Sequence, residues 1–153
     1  MILDITAMGR RMGVREMAVE TEAPVLQDEG TPCLAVRVGA DLSAVIPLTY
    51  VRRTFKAKDL DIQRHGESLF VVYEDHAVPV LLLHEDWEAL VLCEDASRQA
   101  AIGVSSLQEV VTGCWEVTTG VGPAWSLGMT HYDGRVLAMM DIQRLIATGR
   151  PHV

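Results

Sequence analysis

Apolar and polar positions alternate with period two along most of this chain, the pattern of strands that bury one face. The clearest stretch is Ser126 to Ile146. Leu127, Met129 and His131 share one face of a predicted strand, and Val136, Ala138 and Met140 share a face of the next. Asp133-Gly134 between them predicts a type I′ hairpin, because that turn needs positive φ at both central positions. The period then changes. Asp141 stands where a helix N-cap belongs, Ile142, Leu145 and Ile146 form a helical stripe, and Gly149 is a stop signal.

Upstream, Cys33 to Val38 alternates, Gly39-Ala40-Asp41 turns, and Leu42 to Leu48 returns. Pro47 belongs at that strand's edge or end, since proline cannot donate to a ladder. Leu69 to Tyr73 and Val78 to Leu83 predict a hairpin around Glu74-Asp75-His76-Ala77. The arm from Val78 to Leu83 is apolar almost throughout, which suits a strand buried on both faces, between two subdomains. Trp87 to Cys93, a turn over Glu94 to Arg98, and Gln99 to Val104 make a further strand pair, which Leu107, Val110 and Val111 continue. Gly113 to Pro123 reads as a loop bracketed by Trp115 and Trp125. Those aromatics suit caps over the open end of a barrel, or a binding anchor.

The chain also echoes itself. At an offset of 58, Ser68-Leu69 falls on Ser126-Leu127, Asp75 on Asp133, Val78 on Val136, and Leu81-Leu82 on Met139-Met140. At an offset of 56, Leu34-Ala35-Val36 falls on Leu90-Val91-Leu92, and Ile46-Pro47-Leu48 with Val51 on Ile102-Gly103-Val104 with Leu107. Repetition at this spacing predicts two copies of one supersecondary unit. The expected fold is all-β, two small β-barrel subdomains with one short C-terminal helix and about a tenth of the residues or fewer in helices.

Charge narrows the function. The 153 residues carry 13 bases against 21 acids, a net charge of −8. A nucleic-acid groove needs a basic stripe, so no nucleic-acid partner is expected. The balance also disfavours an anionic membrane surface. No window approaches the roughly 18 apolar residues of a membrane span, so no direct membrane insertion is expected. The first residues lack the apolar core of a signal peptide, which points to a cytoplasmic protein. Cys33, Cys93 and Cys114 show no paired spacing and read as reduced core cysteines. Residues 1–32 read as an N-terminal arm or linker. Met8, Met12 and Val19 form a loose stripe that Gly9 and Gly13 weaken, and Thr21 to Pro32 reads as linker or edge strand.

Candidate chemistry is sparse, and no cofactor or metal is expected. His84-Glu85-Asp86 is too little for a metal site. His76, His131, Asp75 and Asp133 fall at matching hairpins, so a small metal-dependent enzyme with a His/Asp hairpin site is one alternative; acids at turns are ordinarily turn formers. The basic cluster is more specific. Tyr50, Val51 and Phe55 lie among Arg52, Arg53, Lys56 and Lys58 in an otherwise acidic chain. A patch for an acidic partner surface and a solvated loop with inward apolar residues are both open readings.

Several motifs in order resemble CheW-like domains. Leu34 to Gly39, Ile46-Pro47-Leu48 and Val51 resemble their opening. Val78-Pro79-Val80 with Leu83 resembles the close of their first subdomain. Ile102-Gly103-Val104, Leu107, Val110, Gly128, Asp133-Gly134-Arg135 and Met140-Asp141-Ile142 resemble the second. The resemblance covers residues 33–147. It implies two SH3-like five-stranded barrels, expected here at 33–86 and 87–147, with 148–153 as a tail. It also implies a non-catalytic adaptor that joins the cytoplasmic tips of methyl-accepting chemoreceptors to a CheA-type histidine kinase, at membrane-associated arrays, with other CheW-like domains as further partners. The resemblance would put Tyr50, Val51 and Phe55 on a kinase-type contact and Tyr73, Glu74, Asp75 and His76 at a receptor-facing turn. The family's Asn-Leu-Arg-Gly turn is Val72-Tyr73-Glu74-Asp75 here, so Glu74 reverses the charge of the coupling arginine. Asp61 to Val72 is similar instead to the regulatory domain of CheA-type kinases, so an excised or stand-alone regulatory domain is a second alternative.

Overall fold

The computed structural model describes residues 30–150. The expected helical stripe at Met8, Met12 and Val19 and most of the expected N-terminal arm lie outside the described residues, as do the last three positions of the expected tail. Twelve strands follow in order: β1 (Thr31–Val38), β2 (Leu42–Pro47), β3 (Val51–Lys56), β4 (Ile62–His65), β5 (Ser68–Tyr73), β6 (His76–Leu82), β7 (Ala89–Asp95), β8 (Arg98–Val104), β9 (Ser106–Gly113), β10 (Thr118–Thr119), β11 (Ser126–Tyr132) and β12 (Arg135–Met140). Among the described residues one α-helix, α1 (Ile142–Thr148), follows β12. Its ends are capped as the residues require. The Asp141 carboxylate accepts from Arg144 N–H at 3.2 Å, and Gly149 takes a left-handed φ of 68°.

The strands form two six-stranded sheets, ordered β10-β11-β12-β2-β1-β9 and β3-β7-β8-β6-β5-β4. The two-subdomain all-β architecture is thus as expected, with an additional short edge strand in each sheet. The division of the chain is not as expected. Each sheet takes the first two strands of one repeat and the last four of the other, so the boundary does not fall at residue 86. The two copies exchange strands through parallel contacts, Ala138 beside Ala44 in one sheet and Val80 beside Ala101 in the other.

Alternation along the strands builds three cores. Cys33, Ala35, Val45, Val111, Leu137 and Met139 fill the first sheet's interior. Val71, Val78, Val80, Leu90, Leu92 and Ala101 fill the second's. Leu34, Val36, Ile46, Val91, Cys93 and Ile102 point the other way, into a core shared by both sheets and covered by Leu145 and Ile146 of α1. The central strands therefore read as near-continuous apolar runs, because both faces are dry. Each fully buried Leu, Ile or Val contributes roughly 1.5–3 kcal/mol.

The repeat is real in topology, but its residue offsets are each one out over two stretches. Val36 and Cys93 both face the shared core, 57 residues apart. Val78 and Val80 correspond to Leu137 and Met139, which is 59 residues, since all four fill barrel interiors. An offset of 58 would set buried Val78 on Val136, which is 66% exposed. A slip of one residue turns a strand over, and apolar residues on both faces hide that slip in the sequence. The offset of 56 does hold for Ile46 with Ile102, because the β1–β2 turn is one residue longer than Ala96-Ser97.

Candidate functional site

The site residues expected on one surface are split by a bulge. Between Val51 and Arg53, β3 carries one residue more than its partner β7. That residue turns the strand over. Val51 consequently faces the shared core and is only 2% exposed, while Phe55 faces the second barrel's interior. The expectation that Val51 contacts a partner is therefore corrected: no partner reaches it without opening the fold. Tyr50, in a 3-10 turn over Leu48–Tyr50, is half-buried against the shared core. Burial raises its phenol pKa first, and the charges of Asp95 and Asp141 add to the rise.

Phe55 instead meets the other expected group. Its ring packs edge-on against Tyr73, with centroids 5.7 Å apart. Arg53 lies two residues before Phe55, and its guanidinium sits 5.2 Å from that ring's centroid. The β5–β6 turn begins directly after Tyr73. It is a two-residue turn, Glu74 at φ 49° and Asp75 at φ 67°, with His76 already in the returning strand. Phe55, Tyr73, Arg53 and the turn thus share one end of the second barrel. The same-face spacing of Arg53 and Phe55 was the signal for the cation's role, once the bulge is placed before Arg53.

The basic cluster divides in the same way. Arg52 pairs with Glu94 at 3.4 Å, and Glu94 also accepts from Gln99. Lys56 and Lys58 line an open groove of about 550 Å³ whose other walls include Trp87, Glu88, Ser105, Ser106 and Leu107. The equivalent end of the first barrel has its own aromatic pair. Trp115 lies 5.4 Å from Tyr132, and its indole N–H donates to Thr31 O at 2.7 Å. Trp115 therefore caps a barrel as expected, whereas Trp125 lies in the shared core.

His84 Nδ1 accepts from the Asp86 N–H at 3.0 Å, and the imidazole lies against Gly39. Among the described residues, no three His, Cys, Asp or Glu side chains gather as a metal ion would require. Asp75 and His76 belong to one sheet's hairpin, Asp133 and His131 to the other's. Cys33 and Cys93 are buried, and burial pushes each thiol up to about 12. Cys114 is exposed, which corrects its reading as a core residue. No helix among the described residues is long and apolar enough to cross a membrane.

No family model matches the chain. No curated protein matches it by sequence. Among solved structures, the chain is similar to the scaffolding protein TtCheW from Thermoanaerobacter tengcongensis, with a TM-score of 0.61 at 15% identity over 73% of this chain and 89% of that one. At that identity the likeness is one of fold: this chain has the two-subdomain β architecture of a CheW scaffold.

Proposed function

We propose that the chain is a non-catalytic adaptor that couples chemoreceptor tips to a CheA-type histidine kinase, in the cytoplasm at membrane-associated arrays. The aromatic end of the second barrel carries this reading. Phe55 and Tyr73 are half-buried, edge-on and beside a turn whose two residues both hold positive φ. Aromatic rings at the rim of a core are the groups that dominate protein interfaces. The TtCheW fold supports the reading, because a scaffold of this shape acts through surfaces rather than through a reaction centre. Other CheW-like domains are the remaining proposed partners.

Phe55 is the proposed kinase-type contact, with Tyr50 near it on the chain but facing another core. Tyr73, Glu74, Asp75 and His76 form the proposed receptor-facing turn. Glu74 next to a partner acid would be costly to bury, so the matching receptor carries a basic group there. The test measures the full chain against a CheA-type regulatory domain and against receptor-tip fragments. Phe55→Ala weakens the kinase-type contact by about 2 kcal/mol, roughly thirtyfold. Glu74→Arg changes which receptor fragment is preferred. Unchanged affinities in both variants would remove the second barrel's end from the interface.

The alternative, a regulatory domain of a CheA-type kinase, rests on the similarity of Asp61 to Val72. These residues form β4, β5 and the turn between them at one sheet edge. Under this reading the chain binds receptor tips and CheW-like domains and competes with a CheA regulatory domain for them, instead of binding that domain as an adaptor would.

A further inference from the structure

The two copies of the repeat differ in what covers the outer face of one hairpin. In the second sheet, Phe70 pairs with Pro79 and Val72 with Ala77. These four alternate with Val71, Val78 and Val80, which fill the barrel, so they share its outer face. Val72 is 54% exposed, Ala77 is exposed, and Phe70 and Pro79 are half-buried. In the first sheet the corresponding pairs are Met129 with Ala138 and His131 with Val136, each 59 residues on. There the face is covered. Ala138 is fully buried in the shared core, and Met129 packs against that core. The loop between β10 and β11 lies over Met129, since a Cβ on Gly122 would meet its sulfur at 2.6 Å. Trp125, from the same loop, sits in the shared core, with its carbonyl accepting from Asp141 N–H at 3.0 Å.

The second copy has no such loop. Gly66 and Glu67 alone join β4 to β5. Leu127 is the extra residue of a bulge, so Ser126 corresponds to Ser68 and Trp125 to Glu67. Where the first copy holds an indole, the second has an exposed carboxylate and a cavity of about 270 Å³. Glu67, Phe70, Pro79 and Leu82 line it, with Gly149 at the end of α1. Pockets for small-molecule ligands generally run from about 300 Å³ upward, so this one suits a single large side chain.

We propose that a partner protein fills this cavity with an aromatic side chain, as Trp125 does in the first copy, and sets an arginine or lysine beside Glu67. The repeat indicates the ring, because an indole is what this chain packs at the matching place. Charge indicates its neighbour. Glu67 lines the cavity, and Asp61 stands one step before Ile62, whose partner is Val71, so it is level with Val72. Among the described residues the ion pairs join Arg52 to Glu94, Arg135 to Glu109 and Arg144 to Asp141, which leaves both acids unpaired. Two copies packed through this face would set acid against acid. Tryptophan and arginine are also the residues most enriched among those that dominate interfaces. The surface is distinct from the Phe55 and Tyr73 contact, because those rings pack against the barrel's interior cluster.

The test is a magnetic-resonance titration of the isotopically labelled full chain with two blocked peptides, Gly-Arg-Trp-Arg-Gly and Gly-Glu-Trp-Glu-Gly. The arginine peptide should move the amide signals of Phe70, Leu82 and Gly149 saturably. It should bind a few fold tighter than the glutamate peptide, the scale of exposed charge pairs. Glu67→Lys should reverse that order. Glu67→Trp gives the second copy the first copy's residue, fills the cavity from within and should abolish the signal changes. Changes confined to the Lys56 and Lys58 groove, or no saturable change, overturn the proposal. So does undiminished binding by the Glu67→Trp chain. Movement of the same amides on dilution, without peptide, would make a second copy the occupant. Much tighter peptide binding by a chain that ends at Arg150 would make the chain's own last residues the occupant. Either result overturns the proposal as well.

Discussion

Tyr73 and Tyr132 hold equivalent positions at the ends of β5 and β11, and the barrel ends they close differ. At the first barrel, Trp115 stacks on Tyr132 with a tilt of 30°, and its indole N–H is tied to Thr31 O. Gly113 allows this closeness, since a Cβ there would meet the Tyr132 ring at 2.9 Å. At the second barrel, Phe55 meets Tyr73 edge-on, and Arg53 is the neighbour on its other side. One end is locked by a polar bond and a long loop. The other is a pair of rings with a cation over one. A partner can add contacts to the second end without dismantling any of the chain's own. Equivalent strands are therefore finished once with a polar tie and once with an open aromatic edge.

The largest expected difference follows. Trp115→Ala removes a stacked ring and leaves the Tyr132 ring and Thr31 O without their partner. It should lower unfolding stability by about 3 kcal/mol. Phe55→Ala removes a half-buried ring with no polar tie and should lower it by about 1.5 kcal/mol. Urea midpoints at equal slopes measure both. Equal losses would mean that the two ends are built alike and that the distinction between lock and contact is wrong.

What the sequence discloses about this comparison follows the range of each interaction. The Asp133-Gly134 turn, the Asp141 cap and the Gly149 stop are local, and each stands where the residues place it. The Trp115 cap was one of two readings open to the aromatics beside the glycine loop, and Trp125, open to the same two, lies in the shared core instead. The exchange of strands was not legible, because β1 pairs with β9 from Thr31 beside Gly113 to Arg37 beside Ser106, far apart in the sequence, and no local pattern records that choice. The bulge in β3 was hidden too. Tyr50, Val51 and Phe55 look like one apolar group, yet one unpaired residue sends Val51 and Phe55 into different cores. Phe55 with Tyr73 was legible only as two separate suggestions, which the sheet brings together.

The thiols extend the comparison to high pH. Cys33 lies inside the first barrel and Cys93 in the shared core, while the second barrel's interior cluster holds no cysteine. Both thiols are raised from 9.0 to about 12. A raised folded-state pKa gives stability that is complete below the unfolded value and lost as pH rises through the window from 9 to about 12. Each thiol should remove about 1.4 kcal/mol per pH unit across that window. Cys33→Ala should lessen the fall of stability by about 1.4 kcal/mol per pH unit across that window, leaving the contributions of Cys93 and of the raised Tyr50 phenol. A slope unchanged by the substitution would show that Cys33 is not held in its protonated form.

Inside the barrels, Thr130 of the first corresponds to Val71 of the second, and both are 3% exposed. The Thr130 hydroxyl is buried without a hydrogen-bond partner. Thr130→Val keeps the shape, removes the stranded group and should raise stability by about 1 kcal/mol. Val71→Thr should lower it by a similar amount or slightly more. Calorimetric unfolding of both variants reads the sign directly. A loss with Thr130→Val would mean that the hydroxyl is satisfied in solution, by a water inside the barrel.

The turns give the smallest effect. Asp133-Gly134 closes β11 and β12 with glycine where φ is 80°, while Glu74-Asp75 closes β5 and β6 with side chains at both left-handed positions. Glycine adopts that region freely, and other residues are strained there. Asp75→Gly should therefore stabilise the chain by about 0.5–1 kcal/mol, and Gly134→Asp should destabilise it by about as much. Strain by itself does not mark a contact, because Ala96-Ser97 holds φ of 52° and 72° at another hairpin. The distinction lies in binding. If the Glu74 turn meets a receptor, Asp75→Gly should gain stability and lose receptor affinity together, because the glycine removes a side chain from the contact. If it is only a hairpin, stability should rise alone. Thermal midpoints and receptor-fragment titrations on the same variant separate these outcomes. An unchanged affinity beside a raised midpoint would reduce the contact surface proposed for the second barrel to Phe55 and Tyr73.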